Sequence, residues 1–231
     1  MPELDLLQNL SIDREALIVL LSLPIVATIV GIARHIVGAK SLGIYAPIVL
    51  TYSFFALSLD GRYQTYPDIL LGIRYGLAFT LVVLTTSVLG TWLVKRARMH
   101  YFPKISINLS FVAVALLASL ILADLLGREG FTSTNALALI LIASVAEQFT
   151  ATLFKKNLRT AIIITAETTI VSIFSYLLIA WPSFQDLLLK YPYLVLLTFI
   201  INYAVGKYRG LRFREFVRFR EVLNQDPQKE E

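Results

Sequence analysis

The sequence predicts an all-α, polytopic integral membrane protein with seven transmembrane helices. Three observations predict it. The 231-residue chain is 57% apolar and only 16% charged, whereas about a quarter of a soluble domain is charged. Its apolar residues gather in seven runs, each near the ~20 residues a helix needs to cross a bilayer. Its Lys and Arg collect in alternate gaps between those runs, the pattern of the positive-inside rule.

The spans follow in order as residues 17–33, 42–59, 69–94, 105–126, 133–154, 160–181 and 188–206. The basic gaps hold Arg34 and Lys40, then Lys95, Arg96, Arg98 and Lys104, then Lys155, Lys156 and Arg159, then a tail from Lys207. The intervening gaps hold only Arg62, Arg128 and Lys190. Placing the N-terminus outside and the C-terminus in the cytoplasm puts 16 of the 21 Lys and Arg on the inner side. The first 15 residues form a short acidic extracytoplasmic N-terminus, with Glu3, Asp5, Asp13 and Glu15 against Arg14. That sign is wrong for a signal peptide, so the first run is expected to remain as a span. Residues 16–206 form the membrane domain. Residues 207–231 form a basic tail whose first half reads as an amphipathic helix on the inner leaflet and whose end reads as disordered.

Aromatic residues mark both interfaces. Tyr63, Tyr66, Trp181, Phe184, Tyr191 and Tyr193 sit beside outer gaps, and Trp92, Tyr101, Phe102, Phe154 and Tyr208 beside inner ones. The net charge of +5 is read as loop charge facing anionic lipid. It is not read as a nucleic-acid surface, since no loop is long enough to carry a basic aromatic stripe. The chain has no cysteine, which excludes disulfides and thiolate chemistry. His35 and His100 fall in no metal-ligand motif, and neither a phosphate loop nor a dinucleotide fingerprint is present. No cofactor or metal is therefore expected.

Polar groups inside spans are costly and are functional candidates by default. Glu147 lies eight residues before Lys155, and Glu167 eight after Arg159. At 1.5 Å per residue both stand about 12 Å from the inner basic cluster. Gln148 adjoins Glu147, Thr165, Thr168 and Thr169 flank Glu167, and Asn108 and Asn202 fall in the same inner half. One reading is a cytoplasm-accessible site for a cation, proton or amine. The other pairs each glutamate with Arg34, Lys155, Lys156 or Arg159 to fix helix packing, since basic side chains snorkel. No nucleophile, metal or oxyanion device completes a hydrolase site, so no catalytic residue is assigned. Arg74, near the outer side of span three, can snorkel to the surface or pair with Asp60, Asp68 or Asp124, and Asp124, at the end of span four, is the expected structural partner.

The stretch from Gly38 is the least ordinary. Gly38, Gly43 and Pro47 punctuate the start of span two, and Pro47 lacks an amide hydrogen and can kink a helix. Broken backbone at membrane depth survives only against protein or a cavity. The segment is thus either a kinked span or the lining of a substrate path. Arg34, His35, Lys155, Lys156, Arg159, Arg212, Arg214 and Arg218 are candidates for lipid contact or for docking a cytoplasmic partner. Small-residue pairs are scattered, which leaves a homo-oligomer open.

Four stretches together carry a resemblance. They are IVATIVGIARHIVGAKSLGIYAPIVLTYSFFAL, ARMHYFPKISINLSFVAVAL, SVAEQFTATLFKKNLRTAIIITAETTIVSIFSYLL and YPYLVLLTFIINYAVGKYRGLRFREFVRF. They resemble the C-terminal domain of the bacterial family of inactive transglutaminases fused to seven transmembrane helices. Arg34, His35, Gly38, Gly43, Pro47, Pro103, Glu147, Arg159, Glu167 and Gly210 match its most regular motifs, and no catalytic role attaches to them. The resemblance implies an outward N-terminus, and the extracytoplasmic transglutaminase-like domain is not expected in this chain. It further implies association with an ATP-grasp ligase. The 38–47 segment is also similar to the membrane subunit of poly-gamma-glutamate synthesis and export. The resulting expectation is a non-catalytic subunit of the bacterial inner membrane, which anchors a cytoplasmic amino-acid or peptide ligase and exports its product. The alternatives are a proton-coupled or small-solute transporter using Glu147 and Glu167, and a membrane enzyme at the inner interface.

Overall fold

The computed structural model describes residues 13–59, 67–127 and 136–208. Every element in them is helical. Helix α1 is Arg14–Ile32, continued by a π-turn, Ala33–Val37. Then come α2 Tyr45–Ser58, α3 Ile69–Lys95, α4 Tyr101–Leu125, α5 Ala136–Lys155, α6 Leu158–Ala180, α7 Pro182–Lys190 and α8 Leu194–Lys207. Five of these are long and apolar enough to cross a membrane: α1 with its π-turn, α3, α4, α5 and α6. The bent pair α7 and α8 qualifies only when the two are taken together.

Local chemistry sets the ends. Asp68 caps α3 by accepting hydrogen bonds from the amides of Leu70 and Leu71 at 3.1 and 3.3 Å. Pro182 opens α7, where a missing amide hydrogen costs nothing. Pro103 falls within the first turn of α4, which is why that helix begins at Tyr101, ahead of the expected residue 105.

Two spans depart from expectation. Span two is 14 residues long, about 21 Å, and is too short for a ~30 Å hydrocarbon core. Pro47 does not kink it, because Pro47 sits in its first turn, where no intrahelical partner awaits an amide hydrogen. Span seven is displaced. Leu188, Leu189 and Lys190 belong to α7, which meets α8 at 101°. Pro192 between them cannot donate, and it disfavours helical backbone at Tyr191.

Helix α2 is the hub. Nine of its 14 residues are buried, and α1, α3, α5 and α6 pack around it. Helix α4 lies outside, against α3 and α5. It buries only Asn108, Val112, Leu116 and Ala123, a single face. Between helices in lipid there is little hydrophobic drive, so close packing must hold them together. On α3, Gly72 and Gly76 provide it. A methyl group at Gly76 would collide with the Phe54 ring, and one at Gly72 with the Tyr176 hydroxyl and the Phe54 carbonyl. Phe54 and Tyr176 meet edge to face at 6.1 Å.

Candidate functional site

The candidate site is where the chain passes from α1 into α2. The π-turn ends at Gly38, with φ +83°, and Gly43 has φ +82°. Both are left-handed conformations that cost a residue with a side chain roughly 1–2 kcal/mol. Between them the backbone is non-helical, and its polar groups need partners. Helix α6 supplies two. The Lys40 amide donates to Glu167 Oε2 at 2.5 Å, and the Leu42 amide donates to Thr168 Oγ1 at 3.0 Å. One turn on, Ser172 Oγ donates to the Pro47 carbonyl at 3.0 Å, and Thr51 Oγ1 donates to the Ser172 carbonyl at 3.2 Å. The Gly43 carbonyl, which Pro47 cannot serve, accepts from Ser41 Oγ at 2.7 Å. Gln148 of α5 closes the other side, since a side chain at Gly43 would meet Gln148 Oε1 at 3.5 Å.

Glu167 lies nine residues along α6 from Leu158. The lead-in to α2 therefore meets α6 about 13 Å from that helix's first residue. Backbone of this kind at such depth is tolerated because protein side chains satisfy it.

The structure divides the expected intramembrane polar cluster into separate contacts. Glu167 and Gln148 face the α2 lead-in. Glu147 is exposed on a stripe of α5 with Leu137, Ile140 and Ser144, and makes no hydrogen bond or ion pair among the described residues. Asn108 is buried and donates to Thr150 Oγ1 across α4 and α5, while its Oδ1 faces Gly90 of α3 without a hydrogen-bond partner. Asn202 donates to Thr28 Oγ1 at 2.8 Å and ties α8 to α1. Arg74 and Asp124 are both exposed, and no ion pair joins them. Arg74 belongs to an outward stripe of α3 with Leu70, Leu77 and Leu81, and Asp124 is one residue from the end of α4. Arg14 of α1 instead pairs with Asp186 of α7 at 2.8 Å.

One end of the bundle is basic. Lys95, Arg96, Arg98, Lys155, Lys156 and Arg159 are all exposed there, and Arg34 is half-buried near the end of α1. Tyr101 meets Phe154 at 6.1 Å, and Arg96 covers the Trp92 ring at 5.1 Å. His35 and Lys40 are exposed on the α1–α2 connection. The tail residues Arg212, Arg214 and Arg218, together with Gly210 and the first 12 residues, lie outside the described residues. So do Arg62, Tyr63, Tyr66 and Arg128. Among the described residues no cluster of His, Asp or Glu is arranged to hold a metal.

Sequence reasoning missed Ser41, Thr51, Thr150 and Ser172. A signal for Ser172 was present. Thr165, Thr168, Ser172 and Ser175 recur at helical spacing within an apolar run, and all are buried on one face of α6.

Long apolar helices, buried polar contacts between them and a short helix starting inside the bundle define a polytopic α-helical membrane protein. A family profile described as seven transmembrane helices usually fused to an inactive transglutaminase matches residues 4–223. The chain belongs to that family. The description names neither a ligase nor polyglutamate synthesis, and an inactive fusion partner agrees with a non-catalytic role. No curated protein matches the chain, and no solved structure does.

Proposed function

We propose that this chain is a non-catalytic subunit of the bacterial cytoplasmic membrane, which anchors an ATP-grasp-like amino-acid or peptide ligase and passes its product outward. The observation that carries the reading is the basic end of the bundle. Arg96, Arg98, Lys155 and Arg159 are exposed on two adjacent helix connections, where a soluble acidic surface has access. The intramembrane asparagines support it by what they already do, since Asn108 and Asn202 hold helices together. In this reading the tail bearing Arg212, Arg214 and Arg218 completes the docking surface. The test is an affinity pull-down from mild-detergent native membranes, comparing the full chain with one truncated after Lys207. A stoichiometric ligase, lost on truncation, is expected. No partner in either sample sinks the reading.

A second reading is favoured by one feature, the start of α2 beside Glu167. Transporters build sites from interrupted helices near the middle of the bilayer. In that reading Glu167 serves a proton or cation while Gly38, Gly43 and Pro47 shape the path. Solute flux by the protein alone in liposomes, abolished by Glu167→Gln, would displace the anchoring role.

A further inference from the structure

A furrow lies between helices α3 and α6. Its longer part, about 590 Å³, is floored by Phe149 and walled by Leu81, Leu84, Ile162 and Ile170. It runs along α3 from Leu77 to Val88, 11 residues or about 16 Å. At Val88 it adjoins a second hollow of about 230 Å³ with different chemistry. Here Lys95 and Lys156 stand together with Thr91, with Asn157 just before α6 and with Leu158, its first residue. The Thr91 hydroxyl is buried without a hydrogen-bond partner, on a residue only 6% exposed.

The two hollows form one amphipathic slot. The apolar part is as long as one leaflet is deep, about half of a ~30 Å core. The other end offers two ammonium groups and the amides of a helix N-terminus, which attract anions. A free anion would not need the apolar length, and a neutral lipid would not need the lysines. We propose that this slot is a specific site for one anionic phospholipid. Its phosphate sits between Lys95 and Lys156 at the start of α6, and one acyl chain lies over Phe149 between α3 and α6.

The test is native mass spectrometry of the full chain released from nanodiscs containing equal phosphatidylglycerol and phosphatidylcholine of matched chains. One retained phosphatidylglycerol is expected, preferred by roughly 10- to 30-fold, since each interfacial lysine contributes about 1 kcal/mol. The double variant Lys95→Gln/Lys156→Gln should lose the preference. Ala166→Phe, which fills the furrow without touching the lysines, should lose the retained lipid of either kind. A melting curve on each variant separates loss of lipid from loss of fold. Equal retention of both lipids, or unchanged preference in the double variant, would overturn the proposal. So would displacement of the lipid by millimolar inorganic phosphate, which would make the basic hollow a free-anion site.

Discussion

Glu147 on α5 and Glu167 on α6 sit eight residues from the same basic turn, one before it and one after. Their surroundings are opposite. Glu167 is half-buried and accepts the Lys40 amide, while Glu147 faces outward from the bundle. The residue next to Glu147, Gln148, is the one turned toward Gly43. Depth along a helix follows from counting residues, but rotation about its axis does not. Neighbours on a helix are 100° apart, so one position decides whether a polar group meets protein or the surroundings. The lesson is that a carboxylate in a span is best weighed by what backbone it serves. Glu167 has such backbone because the chain beside it is not helical.

Removing both acceptors of the α2 lead-in should have the largest effect. Glu167→Leu/Thr168→Val leaves the Lys40 and Leu42 amides without their partners. The loss should be about 2–4 kcal/mol, mostly from the buried Leu42 amide. It should appear as a lowered Tm in detergent with near-native helix content up to the transition. Less severe is Gly43→Val, which puts a β-branched residue at φ +82° and a side chain against Gln148. A cost of about 1–2 kcal/mol is expected, read from the same melting curves. The smallest change should come from Glu147→Leu, below about 0.5 kcal/mol as for other exposed positions. A large drop for Glu147→Leu with little change for Glu167→Leu/Thr168→Val would reverse the assignment of the two residues.

Much of the architecture was legible. The long apolar runs at α3, α4, α5 and α6 have ends within a few residues of those expected, because length and hydropathy decide them. The 38–47 segment stood out through Gly38, Gly43 and Pro47, yet its outcome did not follow from those residues. Whether Pro47 falls in the middle or the first turn of a helix depends on where the helix starts. That start is set by Glu167 and Thr168, more than 120 residues away. The bend before α8 was hidden for a different reason. Leu187, Leu188 and Leu189 look continuous with the apolar run after Pro192. Helix α7 is held apart from that run by the Arg14–Asp186 pair, distant in sequence, and by the buried Gln185 side chain, which donates to the Ile179 carbonyl at 2.8 Å. The proposed Arg74–Asp124 pair failed to form because shared level and opposite charge do not make two helix faces meet.

The shortness of α2 has a consequence for how the chain enters the membrane. A 14-residue apolar helix is below the ~20 residues that span a bilayer unaided. The backbone amides of its lead-in find their partners on α6, more than 120 residues later in the chain, and unpartnered amides are costly in lipid. Helix α2 therefore reaches its final place only after α6 has been made, and integration is completed out of sequence order.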